Sequence, residues 1–362
     1  MKIINIPRRK RLNSLERFSS LERFNSLEQI KRLAVCTLSA LAISFGSLSN
    51  AYADYKDPLE SEVLPMASAA QSLLLDIARA GDRLVAVGER GHILYSDDQG
   101  ANWTLSQVPV RSQLNAVFFV DDQQGWAVGE DAVILHTSDG ALSWQKQFDA
   151  RDADMKGPLL DVYFKNASEG LAIGVFNKLY HTQNGGKSWE IWQEHADNLD
   201  EWHLFSMTSP AAGVIYVTSE SGLLFHSQDG GDSFVQLQTD HDGSFHGVLA
   251  MRGADGLDRL LLSGVGGKLF VSPDSGNSWS ELDSHTEAGL SGGSWLPDGS
   301  ALIVGADGVM LRISPDLSSV EKFQRDNGLP LSNVITTEND GLVLVGLGGI
   351  QTLQVGEVTQ HD

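Results

Sequence analysis

The sequence predicts an all-β chain, a seven-bladed β-propeller preceded by a signal peptide, and three observations carry that expectation. Short apolar segments leading into glycine hairpins begin near Leu73, Leu114, Leu159, His203, Ser244, Gly289 and Leu331, at intervals of 41, 45, 44, 41, 45 and 42 residues. A compact hairpin recurs in six units, as VGERG (87–91), VGEDA (128–132), TSESG (218–222), SGVGG (263–267), VGADG (304–308) and VGLGG (345–349). A turn motif ending in an aromatic residue recurs five times, with those aromatics 41, 45, 45 and 45 residues apart. Repeats of this length, built of strands and tight turns, have the period of four-stranded propeller blades. The 37 glycines and the 41% hydrophobic share supply the turns and the core that such a fold needs.

Within a unit the order is strand, strand, two-residue turn, strand, turn motif, strand. The first unit shows it as LLLDIAR, RLVAVGERGHILYS and WTLSQV, with apolar and polar residues alternating at period two. Glycines on either side of the two-residue turn are expected to supply the positive φ of tight hairpins. A dinucleotide-binding glycine loop would be followed by a helix pattern, and none follows here. The last unit shows three strands, at Leu331–Thr337, Leu342–Gly346 and Ile350–Val355. Its fourth is expected from the GEVTQ tail or from Glu60–Pro65. Residues 54–72 are therefore expected as a segment able to close the ring, and 73–362 as the propeller.

The turn motif reads SDDQGANW (96–103), TSDGALSW (137–144), TQNGGKSW (182–189), SQDGGDSF (227–234) and SPDSGNSW (272–279). This is the Asp-box of the bacterial neuraminidase repeat. Its acid, at Asp98, Asp139, Asp229 and Asp274 with Asn184 in the third copy, is expected to cap backbone N–H groups of its own turn. Its aromatic, Trp103, Trp144, Trp189, Phe234 or Trp279, is expected to plug the space between sheets. Ala141 replaces the motif's glycine in the second copy, SPDLSSV (314–320) keeps only Ser314 and Asp316, and the seventh unit has no box. Tandem boxes are structural, so no chemistry is assigned to them. His136, His181 and His226 each precede a box, one per unit, and so cannot converge on a metal.

Residues 1–53 hold nine Lys/Arg and three Asp/Glu. A basic region (Lys2, Arg8, Arg9, Lys10, Arg11, Lys31, Arg32) precedes an apolar stretch from Leu33 to Leu48 and the small-x-small site Ala51-Tyr52-Ala53. That order is a secretory signal peptide cleaved after Ala53. The 16-residue apolar stretch is short for a spanning helix. The echo SLERF, SLERF, SLEQI at 14–30 reads as a low-complexity expansion or as sequence upstream of the true start codon. Cys36, the only cysteine, lies in this segment, so the exported chain carries no disulfide. The expected location is the periplasm, the thylakoid lumen of a photosynthetic host, or the cell surface, peripheral to a membrane at most.

Removing residues 1–53 leaves 17 basic and 44 acidic residues of the chain's 26 and 47, a net charge near −27. Such a surface repels phosphate backbones and excludes nucleic acid as partner. It favours basic peptides or cations.

With its boxes, VG-x-x-G hairpins and GWAVG at 125–129, the stretch 54–362 resembles the photosystem II stability and assembly factor family of neuraminidase-repeat propellers. The resemblance implies a seven-bladed, non-catalytic propeller that binds a precursor membrane subunit, acts without a cofactor, and has relatives in non-photosynthetic bacteria. Photosynthetic members carry an arginine-rich patch on one face. The nine arginines of 54–362 (79, 83, 90, 111, 151, 252, 259, 312 and 325) are scattered among acids, so no arginine is carried over.

The partner, a membrane protein or exported complex bound by a monomer, is expected on the face shared by central hairpin turns and blade-to-blade connections. Those connections are acidic and hold tryptophans. The expected contact residues are Asp149, Asp152, Asp154, Trp192, Asp197, Asp200, Glu201, Trp202, Asp240 and Asp242. Three other readings are weaker. A sialidase needs an arginine cluster, a tyrosine with a nearby acid and an Arg-Ile-Pro motif, and 54–95 has no such tripeptide. Calcium binding through Asp149, Asp152 and Asp154 departs from the spacing of a calcium loop and lacks its central glycine. Glycan binding has no motif beyond the boxes.

Overall fold

The computed structural model describes residues 56–150 and 157–358, so the signal segment at 1–53 lies outside the described residues. Seven antiparallel sheets follow one another along the chain, six of four strands and the last of three, each with its strands in sequence order. The first strands are Leu74–Ala80, Leu114–Phe119, Leu159–Phe164, Leu204–Ala211, Phe245–Arg252, Leu290–Trp295 and Leu331–Thr336. Each lies beside the first strand of the next blade, and that of blade 7 lies beside that of blade 1. The chain is a closed seven-bladed propeller, as its repeats predict.

The core is divided among seven inter-blade spaces, each filled by side chains of two adjacent sheets. The second strands, such as Gly125–Gly129, Gly170–Gly174 and Ala301–Gly305, are buried throughout. Here the period-two alternation fails, because a neighbouring sheet covers each face of these strands. Outer strands are short and largely exposed, as at Glu190–Ile191 and Val235–Gln238.

The boxes form as their residue types require. In blade 2, Thr137 Oγ1 donates to Asp139 Oδ1 (2.8 Å), which also accepts Ser143 N–H (3.0 Å), while Ser143 Oγ donates to Asp139 Oδ2 (2.6 Å). Ser96 and Asn102 hold Asp98 in the same way, and Ser272 and Ser278 hold Asp274. Asn184 substitutes fully, its Oδ1 accepting Ser188 N–H at 3.0 Å. The degenerate sixth copy closes too, Ser318 donating to Asp316 Oδ2 at 2.7 Å. Each box aromatic fills the space toward the preceding blade. Trp103 lies with Val343 and Val345 of blade 7, Trp144 with Val85 and Val87, Trp189 with Trp126, Phe234 with Leu171 and Ile173, and Trp279 with Tyr216 and Leu224.

Residues 56–72 do not supply a strand to blade 7, and Val355–Val358 form a 3-10 turn, with the end of the GEVTQ tail outside the described residues, so that sheet keeps three strands among the described residues. The N-terminal segment is a staple instead. Leu59 plugs the core between blades 1 and 2, Val63 N–H donates to Val108 O (3.0 Å), and Arg111 N–H donates to Pro58 O (2.7 Å). Further on, Ala70 O accepts Ile350 N–H of blade 7 (2.9 Å), just before the chain enters blade 1. Pro58 and Pro65, together with 3-10 turns at Pro58–Glu60 and Ala69–Gln71, break the segment before it can run as a strand. Closure comes from Asn333 Nδ2 donating to Asp76 Oδ1 (2.7 Å), from Arg79 donating to Thr336 O, and from Trp103.

Partial burial opposes ionisation of Asp229, but hydrogen bonds from Ser233 and Ser227 outweigh it and hold the carboxyl at about 2. A carboxyl depressed in the fold contributes stability above its unfolded pKa, near 3.9, and loses that contribution as pH falls through the folded value. Asp229→Asn should therefore fold normally at neutral pH, as the Asn184 box does, and lose less stability than the parent between pH ~4 and ~2. Urea unfolding across that range tests this, and parallel profiles for the two proteins would exclude it.

Candidate functional site

Two faces follow from the turns. Glu89 N–H donates to Leu73 O (3.0 Å), Glu130 N–H to Gln113 O (2.9 Å) and Ala306 N–H to Gly289 O (2.8 Å). The central hairpin turns and the ends of the blade-to-blade connections thus share one face, the upper one, as expected. The boxes share the lower face with the turns between first and second strands, as in Gly140 N–H to Gln123 O (3.0 Å) and Gly230 N–H to Gly213 O (2.9 Å).

Where a glycine opens the central hairpin, at Gly88, Gly129, Gly174, Gly264, Gly305 and Gly346, it does not supply positive φ. Gly88 is extended, with φ −178°, and the left-handed pair is Arg90 and Gly91. Gly88 is glycine because a Cβ there would lie 2.2 Å from Leu73 O, and at Gly129 it would lie 1.9 Å from Gln113 O. This close approach coincides with a bulge in each first strand. Leu74 pairs with Gly88 but Asp76 with Val87, leaving Leu75 as the extra residue. The bulge turns Leu75, Asn115, Leu160, Phe205, His246, Ser291 and Ser332 to the upper mouth of a central channel of about 710 Å³.

Below the mouth lie two carboxylates at equivalent positions of blades 1 and 3. Asp76 Oδ2 accepts Val117 N–H of blade 2 (2.8 Å), and Asp161 Oδ2 accepts Met207 N–H of blade 4 (2.6 Å). Each also accepts the N–H of its own next residue, from Ile77 (2.8 Å) and Val162 (2.7 Å). Desolvation raises both pKa values against these hydrogen bonds, and the nearby Asp76 charge adds to the rise of Asp161, to about 7. These acids clasp neighbouring blades. Their sequence signal is an acid or amide, Asp76, Asp161 and Asn333, three residues into the repeat's innermost strand.

The lower face offers no open chemistry at the boxes, whose acids are saturated by their own turns. A tyrosine, acid and arginine do meet there: Tyr216 Oη donates to Asp258 Oδ2 (2.9 Å), and Arg252 pairs with the same carboxylate. Tyr216 and Asp258 are buried, and burial raises the phenol pKa, the reverse of what a tyrosine nucleophile needs. His136, His181 and His226 lie on three blades against Trp126, Trp192 and Tyr216, at ring separations of 4.9, 4.5 and 4.5 Å.

The sequence model of the photosynthesis system II assembly factor YCF48 family matches residues 56–151, 96–189 and 145–256, more than half of the chain in all. The chain belongs to this family. The resemblance read from boxes and hairpins is thus borne out. No curated protein sequence matches the chain. Among solved structures it is similar to YCF48 bound to D1 peptide, at 20% identity and TM-score 0.63 over 83% of this chain and 97% of that one. YCF48 from Cyanidioschyzon merolae matches at 16% identity and TM-score 0.63, over 82% and 99%. The WD40 β-propeller domain of Doa1 matches at 12% and 0.60, over 82% and 96%. At these identities the likeness is one of fold.

In this YCF48-family propeller the predicted contact residues divide. Asp149 pairs with Lys146 at 2.9 Å, while Asp152 and Asp154 lie outside the described residues. Trp192 is half-buried on the flank of the blade. It stacks on His195 with centroids 3.5 Å apart, and its Nε1 donates to Gly231 O (3.0 Å) beside the box of blade 4. Asp197 lies on the same flank, its N–H donating to Phe234 O (3.2 Å). The connection runs up that flank before it reaches the upper face, a path that its composition does not encode. Trp202 is half-buried against the core between blades 3 and 4, its N–H donating to Asn198 Oδ1 (3.0 Å). Asp200, Glu201, Asp240 and Asp242 are exposed, near or on the upper turns of blades 3 and 4.

Sequence reasoning missed an aromatic path across this face. Phe176, in the blade 3 hairpin, meets His203 edge-on at 4.7 Å, His203 lies 6.1 Å from Phe205, and Phe205 lies 4.8 Å from His246 at the channel mouth. The hairpin, GVFNK at 174–178, escaped notice because Phe176 and Asn177 adopt positive φ (55° and 53°) without a second glycine.

A carboxyl with a higher pKa folded than unfolded binds extra protons in the fold. The Asp161 contribution to stability therefore declines as pH rises from about 4 to about 7 and is level above that. Asp161→Asn should remove this decline. Denaturation of both proteins at pH ~5 and ~8 checks it, and an equal change in the two would show that Asp161 does not titrate in this window.

Proposed function

We propose that this YCF48-family propeller is a non-catalytic, exported assembly factor that holds an extramembrane segment of a membrane-protein subunit on its upper face. The observation that carries the reading is the aromatic path from Phe176 to His246. It is an aromatic strip of two phenylalanines and two histidines, on a face where the backbone already satisfies itself, ending at the mouth of the central channel. Family membership supports the same reading, as does the likeness to a YCF48 structure bound to a peptide. Residues 1–53 direct export, and the mature protein begins at Asp54.

In-cell crosslinking of a tagged protein, followed by mass spectrometry, tests the role. The expected result is one dominant membrane-protein partner crosslinked through the upper turns of blades 3 to 5. Recovery of soluble proteins alone, or of a membrane partner on the lower face, would overturn it. Amino-terminal sequencing of the protein from the cell envelope should read from Asp54, and an intact first 53 residues would refute export by cleavage.

A further inference from the structure

Resting on that reading, we propose that the segment held on the upper face is cationic, an arginine- or lysine-bearing peptide whose apolar side chain enters the channel mouth beside the Phe205–His246 pair. Between Ser188 and Met251 the chain has no lysine or arginine, and it has ten Asp/Glu and five histidines. This stretch holds blade 4, its entering connection and the start of blade 5. Five of its acids, Asp200, Glu201, Glu220, Asp240 and Asp242, lie near or on the upper turns that flank the aromatic path. Glu220 is fixed beside that path, since its Oε2 accepts His203 N–H at 3.0 Å.

The path itself suits a cation. Phe176 is 59% exposed, and the Lys178 ammonium already sits 5.6 Å from its ring centroid. An exposed aromatic strip flanked by carboxylates attracts a guanidinium twice, through the ring quadrupole and through charge. An acidic segment would meet like charge from Asp200, Glu201, Glu220, Asp240 and Asp242, and a neutral one would gain only the contact with the rings. Leu199, 90% exposed on the same connection, adds an aliphatic contact at the rim.

The test uses the purified exported protein and a short synthetic peptide alternating arginine with leucine, with analogues carrying glutamine or glutamate at every arginine. Fluorescence anisotropy should show the arginine peptide binding about tenfold or more tighter than the glutamine analogue, and no binding of the glutamate one. Raising salt from about 50 to about 300 mM should weaken the arginine peptide several-fold. Phe176→Ala, and Asp200→Asn combined with Glu201→Gln, change exposed side chains and should each weaken it by roughly five- to tenfold. Asp232→Asn, in a box on the lower face, should leave it unchanged.

Equal binding of the three peptides, or unaltered binding by the Phe176 and Asp200/Glu201 variants, overturns the proposal. The crosslinking experiment separates the two claims. A membrane partner joined to the upper face through an acidic segment leaves the assembly role standing and overturns the cationic assignment. A selective arginine-peptide site in a protein with no membrane partner does the reverse.

Discussion

Each blade of this propeller has two apolar faces, and only its neighbours can cover them. Closure of the ring between blades 7 and 1 is therefore the constraint on which the other blades depend. A strand shared between first and last blades would close the ring by a backbone ladder. Here blade 7 has three strands among the described residues, and the junction is made by side chains and a staple: Asn333 on Asp76, Arg79 on Thr336 O, and Ala70 O on Ile350 N–H. Trp103 and Gly100 complete it against Val343, leaving no room for a Cβ at Gly100. The cost of placing Asp76 in the channel is offset by three N–H donors from three blades. The floor of the channel is thus committed to holding the ring.

The parts of the fold that were legible in the sequence are those that repeat with fixed chemistry. A box needs a hydroxyl, an acid or amide, a small turn residue and an aromatic at set spacing, and even SPDLSSV closes through Ser314 and Asp316. The parts that were not legible depend on register. The bulge that aims Leu75, Phe205 and His246 at the channel arises from pairing between strands, and no single residue marks it. Gly88 and Gly129 were legible as glycines but not for the right reason, since their carbonyl contacts lie across the blade rather than in the local turn. The acidic connections are visible in the sequence only as a class. Which of their residues face upward follows from the flank path of 192–197, set by the parallel bridge of Ala196 to Phe234.

The two faces have different freedom. On the lower face the turns consume their own polar groups: Asp98, Asp139, Asp229 and Asp274 each take hydroxyl and backbone donors from within the box. A change there costs fold stability directly. On the upper face the backbone groups satisfy one another between turn and connection, so the side chains above them carry no such burden. Loops of that kind can vary while the scaffold stays fixed.

That asymmetry separates membership of the family from choice of partner. The contacts that define the propeller are glycine against carbonyl, box against turn and aromatic against sheet. Phe176, Asp200, Glu201 and Asp242 take part in none of these, and Asp200, Glu201 and Asp242 project into solvent beside a path that Phe205 and His246 continue into the channel. A chain can keep every structural contact and still exchange a basic upper face for an acidic one. The 64-residue stretch from Ser188 to Met251 without a single lysine or arginine is such a surface. Nothing in the closure of the ring requires that charge, so it can change while the scaffold stays fixed.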